Sequence, residues 1–155
     1  MNCRSCWQRP ILASPDPVFE RSLRTIGTVE QLPETVAFLH QAWQDGALPE
    51  EAAFPFDLAL DEVFMNVVRY AAGPDGTPSG VTITLRQEEA IVTLVIEDEG
   101  PAFDPLTVPD PDVTTSVEER PIGGLGVFLV RQLMDDVTYA RVHDRNRLTM
   151  RKAVA

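Results

Sequence analysis

The stretch LALDEVFMNVVRYA, residues 58–71, places a carboxylate and a carboxamide four positions apart in an otherwise apolar run. These two residues are Glu62 and Asn66. On an α-helix, residues four apart share one face, with Cβ atoms about 6 Å apart. A carboxamide oxygen can bind Mg²⁺, and a nearby carboxylate can accept a proton from a hydroxyl nucleophile. A solvent-facing glutamate beside a capping asparagine would give the same pattern, so this stretch alone leaves both interpretations open.

The composition predicts one compact domain in the cytoplasm. The chain has 155 residues and an apolar fraction of 44%, which suits a single domain with a substantial core. No run approaches the ~20 apolar residues of a membrane span. The N-terminus has no apolar stretch behind its charges, so we expect no signal peptide and no membrane partner.

The net charge of −11 is unevenly distributed, because residues 1–119 sum to −15 and residues 120–155 to +4. An acidic protein repels the phosphate backbone, so we expect no direct binding to nucleic acid. Lys152 is the only lysine. A phosphate loop of the G-x-x-x-x-G-K type and a eukaryotic-type kinase strand both need a lysine, so neither is expected.

Hydrophobic periodicity and turn residues predict an α+β domain over residues 19–155, preceded by a flexible leader over residues 1–18. We expect a strand at 19–27, a helix at 28–46 and a helical region at 48–73 that is interrupted or restarted at Pro55. An antiparallel hairpin follows at 80–87 and 90–98, then a helix at 124–136 and a strand pair around the turn 143–145. This order predicts a two-layer sandwich, with an antiparallel or mixed sheet and three main helices on one face.

Two further segments combine residue types that suit a ligand. Asp98 ends an apolar strand, and Gly100 follows two residues later. A carboxylate there can accept a hydrogen bond from an exocyclic amine such as that of adenine, and a glycine permits close approach of a flat ring. An ordinary turn would also read D-x-G.

The third segment is RPIGGLGVFLV, residues 120–130, where Gly123, Gly124 and Gly126 open an apolar helix. A glycine-rich helix N-terminus offers free backbone amides and a positive dipole end, which suit phosphates without a lysine. A long proline-rich stretch precedes it, and such structureless loops are usually functional lids or disordered. We expect the lid at about 104–122.

The order of these segments resembles the Bergerat-fold (GHKL) ATPases, and within them the RsbW-type anti-sigma factors that are also serine-protein kinases. The resemblance covers about residues 19–152. DEVFMNVVRYA is similar to the N box of that family, EDEGPAFDP to its first glycine box and PIGGLGVFLVRQLMD to its second.

The resemblance implies a site for ATP or ADP with Mg²⁺. By this resemblance Asn66 would hold Mg²⁺ against the phosphates, Asp98 would bind the adenine amino group, and Glu62 would be the catalytic base that deprotonates a serine of a partner. Gly100 would lie against the base, while Gly124 and Gly126 would donate amides to the phosphates. The full expected nucleotide site comprises Asn66, Asp98, Gly100, Ala102, Arg120, Gly123, Gly124, Leu125 and Gly126.

The chain departs from the family pattern at three positions. Tyr70 stands where the family often has a histidine, and Ala102 replaces the second glycine of the first glycine box. Arg120 precedes the second glycine box across Pro121 and Ile122, whereas the family arginine usually adjoins that box. Arg120 is the expected cation for the γ-phosphate.

The resemblance implies an ATP-dependent protein serine/threonine kinase and anti-sigma regulatory factor. Its partners would be a STAS-type anti-sigma-factor antagonist, a sigma factor, or both. A binding module that sequesters its partner without phosphotransfer is the alternative. A detached sensor histidine kinase domain is less favoured, since His40 lies in no phosphoacceptor context. An exposed first strand and an arginine-rich C-terminal edge would permit a homodimer.

Overall fold

Five strands and three α-helices make up the described part of the chain in the computed structural model, which covers residues 19–112, Thr114 and residues 124–154. Short 3-10 turns lie at Val29–Gln31, Glu50–Ala52 and Pro105–Thr107. In chain order the main elements are β1 (Phe19–Ile26), α1 (Leu32–Asp45), α2 (Phe54–Tyr70), β2 (Gly80–Glu88), β3 (Ile91–Asp98), α3 (Leu125–Leu133), β4 (Asp136–Val142) and β5 (Arg145–Ala153).

The strands form one sheet in the order β1-β2-β3-β5-β4, and every neighbouring pair is antiparallel. The predicted α+β class is confirmed, and the sheet is antiparallel rather than mixed. β1 is an edge strand, as expected. The arginine-rich C-terminal strand β5 is not an edge, because β4 pairs with its outer side. The long β3–β5 ladder places Asp98 directly opposite Asn146.

The core lies between the helices and one face of the sheet. Alternate residues of a strand point to the same face, and on β2 and β3 the inward set includes Ile83, Leu85 and Leu94, each with no exposed surface. Helix α2 covers them with Phe56 and Phe64, which are also fully buried. Full burial of such a side chain contributes about 1.5–3 kcal/mol. This packing fixes the rotation of α2 and therefore the direction of its polar face.

Local sequence signals explain most differences in element boundaries. Pro55 lies in the first turn of α2, where its missing amide costs nothing, so it begins the helix rather than interrupting it. Helix α3 ends at Leu133, three residues before the predicted end, since Asp136 already belongs to β4. The last hairpin turns on His143 and Asp144 alone, both at positive φ, the geometry of a two-residue hairpin turn.

Some expectations fall on residues that are not described. The leader over residues 1–18 lies outside the described residues, as do residue 113 and residues 115–122 of the expected lid. The described beginning of that lid contains a short 3-10 turn, capped by the side chain of Asp104, which accepts a hydrogen bond from the amide of Leu106 at 2.8 Å. Within the described ranges, no helix is long and apolar enough to cross a membrane.

Candidate functional site

Three polar side chains follow one face of α2 and border a groove beside α3. Glu62, Asn66 and Arg69 are spaced four and three residues apart, so they share a face of the helix. All three line the same groove as Gly124 and Gly126. None of the three has a hydrogen-bond or ion-pair partner among the described residues. Unpaired polar and charged groups along one groove suit a polar ligand.

The beginning of α3 supplies the other wall of this groove. Gly124 precedes the helix in a left-handed conformation, with φ of 82°, which a glycine adopts without strain. Its carbonyl accepts the first bond of the helix, from the amide of Phe128 at 3.1 Å. The amides of the residues between them have no acceptor within the helix, and they point toward its positive end. This arrangement suits an anion such as phosphate.

Glu62 lies directly against the first turn of α3. A Cβ atom added at Gly126 would overlap the Oε2 atom of Glu62 and would stand only 2.5 Å from its Cδ atom. The absence of a side chain at position 126 therefore allows the carboxylate to occupy this place. The structure brings the predicted base and the predicted phosphate-binding helix together, and their roles stay predictions.

A largely apolar pocket opens between α2, β3 and β5. Val63, Val67 and Ile96 contribute to its walls, and Asp98 also lines it. Asp98 is only 8% exposed. Its Oδ1 atom accepts a hydrogen bond from the amide of Gly100 at 2.9 Å. Its Oδ2 atom has no donor among the described residues. A buried carboxylate oxygen in an apolar pocket can recognise an amine donor of a flat heterocycle.

Asn66 connects the apolar pocket to the groove at α3. It lines both of these cavities and also a third one that lies under the described start of the lid. Tyr70 and Phe103 stand beside it as a tilted aromatic pair with ring centroids 5.5 Å apart. The three cavities therefore form one elongated site, apolar at the Asp98 end and polar at the Glu62 end.

The remaining predicted residues lie in different surroundings. Gly100 packs against the end of α2, since an added Cβ would stand 2.6 Å from the Cβ of Ala71. Its contact with a base stays a prediction. Ala102 is exposed and lies in none of the three cavities. Leu125 is 40% exposed and lines the groove at α3. Arg120 and Gly123 lie outside the described residues.

Sequence reasoning missed two residues of this site. Arg69 is a cation within the groove, and its position three residues after Asn66 was a usable signal. Asn146 is buried against Asp98 and lines the apolar pocket. The alternation of β5 puts Asn146 on the same face as the buried Leu148 and Met150. This alternation could therefore have predicted that the Asn146 side chain is buried. The register that sets it opposite Asp98 is a tertiary property.

Comparison with known proteins identifies a family and several relatives. A family model described as a histidine kinase-like ATPase domain matches residues 27–152. The serine/threonine-protein kinase BtrW of Bordetella bronchiseptica is 36% identical over 97 residues, covering 63% of this chain and 68% of BtrW. The serine-protein kinase RsbW of Staphylococcus aureus is 31% identical over 85 residues, covering 52% of this chain. That match spans about half of RsbW, 54% of its length.

A solved structure shares the fold. The crystal structure of the RsbU and RsbW domains of Rv1364c from Mycobacterium tuberculosis superposes with a TM-score of 0.61 at 10% identity. The superposition covers 87% of this chain and 32% of the solved chain. At this identity the likeness concerns the fold alone. The family model spans most of the sequence, and the chain therefore belongs to the family of histidine kinase-like ATPase domains.

Proposed function

We propose that this protein is an ATP-dependent protein serine/threonine kinase and anti-sigma regulatory factor that phosphorylates an anti-sigma-factor antagonist. One observation carries the proposal: the unpaired carboxylate of Glu62 lies at the polar end of a site whose apolar end is lined by Asp98. A nucleotide has the same division into an apolar ring and charged phosphates. The kinase names of BtrW and RsbW agree with this reading.

The residues present fit an adenine nucleotide. The base would enter the apolar pocket, where the free Oδ2 of Asp98 can accept a hydrogen bond from the amino group of adenine. The phosphates would lie at the N-terminus of α3, among free amides and beside the guanidinium of Arg69. Asn66 lies between these two ends and lines both cavities. ATP and ADP both meet these requirements.

Asn66 is also the residue that would hold Mg²⁺. Its carboxamide oxygen is a hard ligand without a hydrogen-bond partner among the described residues, and Mg²⁺ usually completes its shell with phosphate oxygens and water. When bound, the ion supplies neutralisation of the charge on the phosphates. The chain itself contributes the ligand oxygen and the fixed position that Asn66 has on the well-packed helix α2.

Glu62 performs the proton transfer in the proposed reaction. The hydroxyl oxygen of a partner serine attacks the γ-phosphorus of ATP, and a new oxygen–phosphorus bond forms. The bond from the γ-phosphorus to the bridging oxygen breaks, so that ADP leaves with that electron pair. The carboxylate of Glu62 accepts the proton of the hydroxyl group. Such a base contributes about 10²–10⁴-fold to the rate.

The proposed partners are a STAS-type antagonist, a sigma factor, or both, in a partner-switching pathway in the cytoplasm. A homodimer is a further proposal. β1 offers a free edge for pairing, and Ile26 at its end is 48% exposed. Pairing of the β1 edges of two copies would cover backbone N–H and C=O groups that otherwise face water.

The test combines nucleotide binding with phosphate transfer. The purified chain is titrated with ATP with and without Mg²⁺ while its melting temperature is followed, and labelled phosphate transfer to a STAS-type antagonist is then measured. At an ATP concentration of 100 Kd we expect about 2.7 kcal/mol of stabilisation, or about 10 °C. Absence of any shift at millimolar ATP contradicts the proposal as a whole.

A matched pair of variants isolates the role of the base. Glu62→Gln should keep the affinity for ATP and lose transfer by about 10²-fold or more. Asp61→Asn removes the neighbouring carboxylate, which is exposed, and should behave as wild type. Normal nucleotide binding with no transfer by the wild-type protein would favour the alternative, a binding module gated by nucleotide.

A further inference from the structure

Asn146 stands at the centre of a buried hydrogen-bond network next to the apolar pocket. Its side-chain amide donates to Oδ1 of Asp98 at 2.9 Å and to the carbonyl of Pro101 at 2.8 Å. Its side-chain oxygen accepts from the amide of Phe103 at 3.1 Å and from the hydroxyl of Tyr139 at 2.7 Å. The residue is 6% exposed. All four hydrogen-bonding positions of the carboxamide are therefore occupied.

The orientation of this carboxamide follows from its partners. The backbone amide of Phe103 can only donate and the carbonyl of Pro101 can only accept, so the oxygen must face the first and the nitrogen the second. The nitrogen then necessarily also faces Asp98. A network in which every member is satisfied holds its side chains in a single arrangement.

This arrangement decides which oxygen of Asp98 remains available. Oδ1 accepts two hydrogen bonds, from Gly100 and from Asn146, each at 2.9 Å. Oδ2 accepts none from the described residues. No side-chain nitrogen or oxygen that is fully buried in the described part lacks a partner, so Oδ2 keeps some exposed surface, and Asp98 lines the pocket. The two donors thus fix the carboxylate with one oxygen presented to a ligand.

The turn that follows Asp98 is held by the same hairpin. Asn146 binds both Pro101 and Phe103 from β5, and Arg141 on β4 donates to the carbonyl of Gly100 at 2.8 Å. Phe103 is also the aromatic partner of Tyr70 at the pocket. The β4–β5 hairpin therefore positions both the carboxylate and the adjoining wall.

We infer that Asn146 is a positioning residue that sets the preference of this site for purines with a 6-amino group, acting through Asp98. The inference rests on the proposed nucleotide site and adds to it the origin of its base specificity. Without the amide of Asn146, only Gly100 holds the carboxylate, and Oδ2 is no longer fixed toward the pocket. The site should then bind the phosphates and the ring as before but no longer distinguish the 6-substituent.

The test compares ATP with purine riboside triphosphate, which differs only by lacking the 6-amino group. Affinities of both for the full chain are measured by titration calorimetry with Mg²⁺, and their ratio is the readout. The wild type should prefer ATP by about 10-fold or more, the value of one hydrogen bond to a charged acceptor. Asn146→Ala should reduce the ratio to about 3-fold or less, with the affinity for purine riboside triphosphate nearly unchanged.

A second variant and a matched control keep the test decisive. Asn146→Leu has a similar size and removes the donors to Asp98 and Pro101 without adding a charge beside Asp98, so it carries the test if the alanine variant does not fold. Arg147→Ala breaks the next cross-strand pair on the same two strands, the ion pair with Glu97 at 3.0 Å on the outer face, and should keep the wild-type ratio.

Each outcome separates the inference from the proposed function. A wild type that binds neither nucleotide overturns both. A wild type that binds both nucleotides equally leaves the nucleotide site standing and overturns the role of Asp98 and Asn146. A wild type that prefers ATP, with folded Asn146 variants that keep the full preference, overturns the inference about Asn146 alone.

Discussion

Substitution of Gly126 by alanine should lower the rate of phosphate transfer strongly while leaving the stability of the protein nearly unchanged. The added Cβ would overlap the carboxylate of Glu62, with Cδ at 2.5 Å, whereas ordinary contact begins at 3.4 Å. The carboxyl carbon must therefore withdraw by about 0.9 Å. A misplacement of about 1 Å at a reacting group costs about 10²-fold in rate. We accordingly expect a 10²-fold loss of phosphate transfer in Gly126→Ala.

The stability of the same variant should change little. The atoms that must move belong to the end of a flexible side chain, and alanine is favoured over glycine within a helix by up to about 1 kcal/mol. Urea denaturation should therefore place the free energy of unfolding within about 1 kcal/mol of wild type. Single-turnover transfer at saturating ATP measures the rate, and Gln132→Ala, an exposed position at the far end of α3, serves as the control.

A rescue experiment tests the geometric cause directly. Glu62→Asp shortens the side chain by one C–C bond, about 1.5 Å, which removes most of the overlap at Gly126. The double variant should transfer phosphate no more slowly than Glu62→Asp alone, so the two substitutions should not be additive. Wild-type transfer by Gly126→Ala, or full additivity in the double variant, would refute the proposed contact between Glu62 and α3.

Three other perturbations probe the metal ligand, the core and the aromatic pair. Asn66→Ala should weaken binding of Mg·ATP by about 10-fold or more, that is 1.4 kcal/mol, and unchanged affinity in a calorimetric titration contradicts the ligand role. Phe64→Ala, at a position with no exposed surface, should lower the free energy of unfolding by about 3–5 kcal/mol in urea. Tyr70→Ala removes the contact with Phe103 and should lower the free energy of unfolding by about 0.5–1.5 kcal/mol. A decrease above about 3 kcal/mol in the same urea assay contradicts this expectation and indicates a different role for Tyr70.

Local patterns were sufficient for most of the secondary structure. The strand β2 alternates regularly, β3 is a short run rich in β-branched residues, and α1 repeats its apolar residues at helical spacing. Glycine or proline marks most ends, because these signals act within a few residues. The boundary errors have two different origins, one local and one tertiary. Pro55 begins a helix as readily as it breaks one, and the end of α3 depends on where β4 pairs, which no local pattern records.

The sequence by itself determined the secondary-structure elements, their order along the chain and the chemical groups available to bind a ligand. Glu62 and Asn66 had to share a helix face, and Gly124 and Gly126 had to open a helix, since both follow from helical periodicity. Only the tertiary structure decided which groups meet. It set Glu62 against Gly126 and Asp98 against Asn146, because helix packing and strand register depend on contacts between residues that are far apart in the chain.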